Sequence, residues 1–230
     1  MSSWEEVVQE AEKATSLKDV KGVYEILRKA DESGIHHSEL SWRYARSLYD
    51  MAEETTDKKE REKFFKEGLQ WAKKAVEEDP NMYASHMWMG ILLSSQNEFI
   101  STKEKVANAY IIRDHFLKSL ELKSDNATAL HCMGMWCWNV LQVGWVERQA
   151  ASLLFGTPPT STYEECLKYL LDADKIEPSI HNCLALGNVY MQLKQKDNAK
   201  IWYQKALDLP ATTEAKLRQH AEAKKKLSSC

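Results

Sequence analysis

Large and small apolar residues alternate along this chain at helical spacing, and the same order recurs four times. The copy nearest the C-terminus reads Cys183, Leu186, Gly187 and Tyr190, then Ala199, Tyr203, Ala206 and Pro210. Residues three and four positions apart lie on one face of a helix. The pattern therefore predicts pairs of antiparallel helices in which large side chains on one helix meet glycine or alanine on the other.

Three further copies begin at Trp42, His86 and Leu130. A helix pair of this kind cannot bury its apolar stripe alone, so the copies predict a stacked array of the tetratricopeptide type. The copies start 44, 44 and 53 residues apart, against about 34 in the standard unit. The additional length either extends both helices of a pair or inserts a loop between them.

Arg46 is the clearest departure from the repeat pattern. It occupies the place that Gly90, Gly134 and Gly187 hold in the other copies. A bulky side chain there would keep the second helix at a distance. The sequence therefore predicts looser packing in the hairpin that contains Arg46.

We predict an all-α fold, a superhelical array of antiparallel helix pairs with elongated helices, in one tetratricopeptide-like domain spanning residues 1–230. Its parts are an N-terminal hairpin (1–34), four repeats (36–80, 82–124, 126–178 and 180–210) and a C-terminal capping helix (211–230). Helices are expected at about 3–15, 17–31, 36–54, 57–78, 82–96, 101–123, 126–142, 162–176, 180–193, 196–208 and 212–227. An apolar stripe from Trp145 to Phe155 predicts another helical stretch inside the long third repeat.

Polar residues and one glycine mark the expected helix boundaries. Ser and Thr hydroxyls and Asn or Asp side chains commonly cap the first turn of a helix. The predicted caps are Ser3, Ser16, either Asp125 or Asn126, and Ser161. Gly34 is expected to close the first hairpin.

Composition fits a helical array without long linkers, since the chain has only 8 Gly and 5 Pro in 230 residues. No apolar run approaches the roughly 20 residues that a membrane-spanning helix needs. The acidic start lacks the basic and apolar regions of a signal peptide. We expect a cytoplasmic protein without a transmembrane segment.

The sequence shows few features of an enzyme or of a metal site. It has no phosphate-binding glycine loop, no His-Glu-x-x-His and no nucleophile elbow, so we expect no catalysis and no cofactor. Cys137, Cys166 and Cys183 fall on core places of the repeats and are interpreted as packing residues rather than metal ligands. The formal net charge of −3 argues against a nucleic-acid binder.

The first helices of such repeats line a concave groove, which is the candidate ligand site. Its predicted lining is mainly apolar, with isolated Arg and His side chains. The candidate residues are Arg43, Ser47, Met87, Ile91, His131, Met135, Trp138, His181 and Asn188. A lining of this kind suits an acyl chain with a phosphate or an amphipathic peptide, although Met and aromatic residues are also typical of plain core.

A second candidate surface is the basic C-terminal segment. Its cations are Lys216, Arg218, Lys224, Lys225 and Lys226. They could form the solvated face of a capping helix, which repeat arrays need for solubility. They could also attract an acidic surface, either the acidic tails of tubulin or an anionic membrane.

Segments 108–116, 145–149, 154–159 and 161–165 resemble the regulator of microtubule dynamics family, and the likeness covers about residues 4 to 225. The resemblance implies a cytoplasmic protein that associates with microtubules and helps to organise the spindle and its poles. Some relatives carry an N-terminal membrane anchor and bind phospholipid at organelle contacts. Because this chain starts close to the repeats, we expect the branch that lacks the anchor.

Three hypotheses remain open on the sequence alone. The first is a microtubule-associated scaffold, the second is a phospholipid-binding module that uses the groove, and the third is a general peptide-binding adaptor. The third explains the fold but not the family-specific segments.

Overall fold

The computed structural model describes residues 3–144, 152–153 and 157–230, and these ranges contain helices and connecting turns but no strand. The chain divides into two compact units, Met1–Leu122 and Lys123–Cys230. The first unit contains α1 (Trp4–Ser16), α2 (Val20–Glu32), α3 (Ser38–Glu54), α4 (Lys58–Glu78), α5 (Tyr83–Gln96) and α6 (Thr102–Leu122). The second contains α7 (Ala127–Gln142), α8 (Tyr163–Ile176), α9 (Ile180–Gln192), α10 (Lys196–Asp208) and α11 (Glu214–Ser228). The all-α prediction is confirmed.

Two of the predicted helix caps are present. The Ser3 hydroxyl accepts a hydrogen bond from the Glu6 amide at 3.3 Å, and the Glu6 carboxylate accepts one from the Ser3 amide at 3.0 Å. Asn126 caps α7, since its Oδ1 accepts from the Ala129 amide at 2.8 Å. Gly34 ends the first hairpin with a φ of 75°, a conformation that glycine adopts without strain.

Two predicted caps were wrong. Asp19, not Ser16, caps α2, because the Asp19 carboxylate accepts from the Gly22 amide at 2.8 Å. Thr162 rather than Ser161 caps α8, and its hydroxyl accepts from the Glu165 amide at 3.1 Å. In both cases a side chain nearer the first turn reaches the free amides better.

The additional repeat length lies largely in the second helices of the first two repeats. Both α4 and α6 have 21 residues, whereas α5 has 14. Of the two alternatives for the additional length, extension of both helices therefore does not describe α5 and α6, where only the second helix is long. The helical stretch predicted from Trp145 to Phe155 lies outside the described residues, except for residues 152–153.

Three repeats pack a glycine of the first helix against a large side chain of the second. The pairs are Gly90 with Phe116, Gly134 with Leu170, and Gly187 with Tyr203. A Cβ atom on any of these glycines would lie 2.3–2.5 Å from a carbon of its partner. The absence of a side chain is what lets each pair of helices approach.

The first repeat reverses this arrangement. The fully buried Ala72 of α4 occupies the position that Phe116, Leu170 and Tyr203 hold in the other copies. The close approach occurs at Gly68 of α4, where a Cβ would lie 3.4 Å from the backbone oxygen of Ala45 and 3.3 Å from Cβ of Leu48 in α3. The predicted loose packing around Arg46 was therefore wrong, because the small residue has moved to the second helix.

Cys137, Cys166 and Cys183 are fully buried, which confirms the prediction that they are packing residues. The Cys166 thiol donates to the Gly134 carbonyl at 3.2 Å. All five cysteines of the chain are free.

Candidate functional site

Arg43, the predicted cationic anchor of the groove, is already paired within the first unit. Its guanidinium lies 2.9 Å from a Glu12 carboxylate oxygen and also forms an ion pair with Glu39. It donates to the Glu39 carbonyl at 3.0 Å and lies 4.1 Å above the Trp42 ring. Only 16% of its side chain is exposed. A ligand anion at Arg43 would have to compete with two carboxylates.

The other candidates in the first unit are packing residues to different degrees. Ser47 is buried and donates to the Tyr44 carbonyl at 2.9 Å. Met87 is buried as well, and Ile91 is partly buried. Of these three candidates, Ile91 is the one that a ligand reaches most easily.

In the second unit, His131 and His181 lie against each other. Their rings meet edge to face with 4.3 Å between centroids, which joins α7 to α9. His131 Nδ1 lies 2.9 Å from Oδ1 of the fully buried Asn182. The Asn182 amide nitrogen donates to the Leu170 carbonyl of α8 at 2.9 Å. Asn182, which the sequence did not single out, thus links three helices.

This network fixes the proton on His131. Because the Asn182 nitrogen donates to Leu170, the Asn182 oxygen must accept from His131. His131 Nδ1 therefore carries the hydrogen, and Nε2 holds the lone pair of the neutral ring. Burial is the larger cause and charge repulsion from His181 the smaller one, and together they lower the pKa of His131 to about 4.

Lys216 of α11 acts electrostatically on His181. The pKa of His181 is lowered first by desolvation, although its side chain is exposed, and then by the positive charge of Lys216. Within the described part of the chain, neither histidine is paired with a carboxylate. The structure therefore brings together residues that the sequence had assigned to two different surfaces.

The remaining candidates of the second unit flank the histidines. Met135 and Trp138 follow His131 on the same face of α7 by four and seven positions, and both are partly exposed. The Asn188 side chain already has a hydrogen-bond partner, since its Oδ1 accepts from the Tyr203 hydroxyl at 3.0 Å.

The basic residues of α11 fall into two groups. Arg218 lies 3.9 Å from Glu214, and Lys226 lies 3.4 Å from Glu222, both as i,i+4 ion pairs. Lys224 and Lys225 are exposed, and among the residues that the structure describes neither forms an ion pair. Their positive charge is therefore uncompensated by a neighbouring acid.

A histidine pair in the first unit was also missed. His86 Nδ1 lies 2.9 Å from His115 Nδ1, and His86 Nε2 lies 2.9 Å from the Pro80 carbonyl oxygen. Since a carbonyl can only accept, His86 donates from Nε2 and accepts from His115 at Nδ1. Burial lowers the pKa of His115 to about 4, and His86 contributes by repulsion. The pair therefore links α6 to α5. In the described residues, no group of three or more His, Cys, Asp or Glu side chains could hold a metal ion.

The paired helices and their glycine contacts define a helical-repeat protein of the tetratricopeptide type. Solved structures with this fold include the TPR protein TTC0263 of Thermus thermophilus, with a TM-score of 0.67 and 13% identity over 95% of this chain and 97% of that one. MamA residues 41 to the end from Desulfovibrio magneticus RS-1 superposes with a TM-score of 0.53 and 11% identity over 89% of this chain and 93% of that one. At such identities the similarity establishes the fold alone.

The chain belongs to the regulator of microtubule dynamics family. The family model, described as regulator of microtubule dynamics protein 1-3, matches residues 5–230. Regulator of microtubule dynamics protein 1 of Pongo abelii is 37% identical over 98% of this chain and 72% of its own length. The Bos taurus protein of the same name is 38% identical over 95% of this chain and 69% of its own length. The resemblance inferred from the sequence is confirmed. None of the helices in the described ranges has an apolar stretch suited to crossing a membrane.

Proposed function

We propose that this chain is a non-catalytic helical-repeat scaffold that associates with microtubules and regulates their dynamics. Membership of a family named for this role supports the proposal. The observation that supports a role for particular residues in microtubule binding is that Lys224 and Lys225, on the exposed face of α11, form no ion pair among the described residues. Exposed cations attract an acidic surface over about 10 Å at 0.1 M salt.

The composition of α11 supports contact with an acidic protein segment. Leu217 is 56% exposed on this helix and lies on the same face as Lys224, two turns before it. An exposed apolar side chain beside cations allows both charge attraction and contact with a partner side chain. Lys225 also stabilises α11 itself, because it lies in the last turn and a cation there interacts favourably with the helix macrodipole by about 0.3–1 kcal/mol.

Co-sedimentation of the full chain with microtubules over a salt series tests the proposal. The double variant Lys224→Gln, Lys225→Gln should bind about three- to tenfold more weakly at low salt, and its binding should depend less on salt. The matched control, Arg218→Gln with Lys226→Gln, removes two cations that are already paired. It also removes one cation from the last turn of α11, so it controls for the effect on helix stability.

Two results would count against this assignment. If both double variants bind like the wild type, α11 is only a capping helix. If the wild type itself does not pellet with microtubules at any salt concentration, the role proposed from the family fails. In the first case the lysines of α4 become the next candidates, although Lys66 is already paired with Glu62 at 2.7 Å.

Spindle organisation is the finer cellular role that we propose, with the spindle and its poles as the location. The support is the family relationship. A fluorescently tagged chain should concentrate on spindle fibres in dividing cells, and the Lys224 and Lys225 double variant should do so less. A uniform distribution of both proteins would contradict the proposal.

A phospholipid in the groove is the alternative function. The carboxylates that hold Arg43 and the burial of Ser47 and Met87 weaken it in the first unit. Mass spectrometry of an organic extract from the purified chain tests it. A stoichiometric phospholipid would favour the alternative.

A further inference from the structure

We propose that His131, His181 and Lys216 form a binding site for a carboxylate-rich peptide in the second unit, and that binding is coupled to protonation of His131. The site is distinct from Lys224 and Lys225 and goes beyond the proposed function. It is argued from hydrogen-bond geometry, from charge and from the exposed residues beside it.

The first argument is that the site has an oriented nitrogen without a hydrogen-bond partner among the residues that the structure describes. Asn182 holds Nδ1 of His131 at 2.9 Å and is itself held by the Leu170 carbonyl, so the imidazole cannot turn over without breaking this network. Nε2 is left with a lone pair and has no hydrogen-bond partner within the described residues. Protonation at Nε2 would create a donor in a fixed direction.

The second argument is the sign of the charge. The ionisable groups that act on the two imidazoles are cationic when protonated, since His181 acts on His131 and Lys216 acts on His181. Without an anion, protonating His131 is costly, and its pKa is lowered to about 4. A bound carboxylate would supply the missing counter-charge and would raise that pKa by about 1–3 units.

The third argument concerns the kind of ligand. Met135 and Trp138 continue the face of α7 beyond His131 and are partly exposed, which provides an apolar shelf next to the cations. A peptide can place carboxylates on the cations and an apolar side chain on this shelf, as amphipathic segments do in other grooves. The proposal therefore commits to an acidic peptide with apolar residues.

The test uses the full chain and a fluorescein-labelled peptide of consecutive glutamates followed by two leucines. Because a proton is taken up on binding, affinity should rise as pH falls between the bound-state and free-state pKa values. A rise of about 2 to 3 units in the pKa of His131 on binding would make binding about four- to twentyfold tighter near pH 5.5 than near pH 7.5. His131→Gln should remove this pH dependence, and Lys224→Gln with Lys225→Gln should leave it intact.

Two further variants keep the test valid if His131→Gln disturbs the fold. The side chains of His181 and Lys216 are exposed, so His181→Gln and Lys216→Gln should preserve the helix content while each weakens peptide binding at the lower pH. The proposal is overturned if the peptide does not bind, or if its affinity changes with pH equally in the wild type and His131→Gln. Binding that depends only on Lys224 and Lys225 would also overturn it. Anionic phosphatidylserine vesicles that bind through His131 when the peptide does not would replace the peptide with a membrane.

Discussion

The ring of Tyr203 fills the space that a side chain on Gly187 would occupy. A Cβ on Gly187 would lie 2.3 Å from Cε1 of Tyr203, which is closer than such atoms approach. The Tyr203 hydroxyl also donates to Asn188 at 3.0 Å, so the ring has little freedom to move aside. The helix pair α9 and α10 therefore depends on glycine at this one position.

We predict that Gly187→Leu lowers the free energy of unfolding by about 1–3 kcal/mol through overpacking. Gly134→Leu should act in the same direction, because a Cβ there would meet Leu170 at 2.5 Å. Arg46→Leu is the control, since the Arg46 side chain is partly exposed and already bulky. Urea denaturation of the three variants measures the difference. Equal midpoints would contradict the interpretation.

Gly68 should be as sensitive as the glycines of the other repeats, although it lies on the second helix of its pair. A Cβ at Gly68 would lie 3.0 Å from Cδ2 of Leu92, 3.3 Å from Leu48 and 3.4 Å from the backbone of Ala45. Leucine at this place should lower the free energy of unfolding by about 1–3 kcal/mol. Gly34→Leu is unsuitable for comparison, because its positive φ adds backbone strain. If Gly68→Leu has the urea midpoint of the wild type, α3 and α4 are not closely packed at this residue.

Acid should weaken the fold through the two histidines whose pKa values are lowered to about 4. His115 and His131 stay neutral in the folded state, whereas in the unfolded chain each takes up a proton near pH 6.5. Their contribution to stability is therefore present above about pH 6.5 and is lost as pH falls towards 4, by up to about 3 kcal/mol for each residue. Asp50 has the opposite effect on stability. Burial raises its pKa to about 6, so the folded state binds the proton more readily than the unfolded chain and is stabilised by it as pH falls.

Urea unfolding at several pH values isolates the histidine contribution. The wild type should lose more stability between about pH 7 and pH 4.5 than His115→Gln does, because the variant cannot take up that proton on unfolding. The difference between the two proteins cancels the effect of Asp50. Parallel pH profiles would show that His115 is not held neutral in the folded state.

Thiol reactivity should separate the cysteines by burial. Burial raises the pKa of Cys137 to about 11 and those of Cys132, Cys166 and Cys183 to about 12, so few of these thiols are ionised at neutral pH. Cys230 is partly exposed at the chain end and should react first with Ellman's reagent. Cys230→Ser should remove the fast phase, and all remaining thiols should react after unfolding in guanidinium chloride. Rapid reaction of several thiols in the native Cys230→Ser variant would contradict the buried assignment.

Helix positions were predictable because burial repeats with the period of the helix. Predicted and observed helix ends differ by three residues or fewer, and the largest difference is at α2, where Asp19 displaced Ser16 as the cap. The pairing of Arg218 and Lys226 could also have been read from the sequence, since each follows a glutamate by four positions. That spacing distinguishes these cations from Lys224, whereas Lys225 follows Glu222 by three positions and could also have been expected to pair.

The site contacts were not predictable in the same way. Asn182 and His131 are 51 residues apart, and their hydrogen bond depends on how three helices meet. Lys216 was assigned to a basic patch because charge along the sequence does not reveal which side of α11 faces α9. The carboxylates that occupy Arg43 come from α1 and from its own helix, and only the former needed the fold to be known.

The reversed sizes in the first repeat limit which helices can pair with one another. If α3 took α6 as its second helix, Arg46 would press on the ring of Phe116, and if α5 took α4 as its second helix, Gly90 would stand opposite Ala72 and leave a gap. Of the first helices, α3 and α5 therefore each favour their own second helix over that of the other repeat. Hairpins that form early in folding are thus protected against exchange of α4 and α6 between these two repeats.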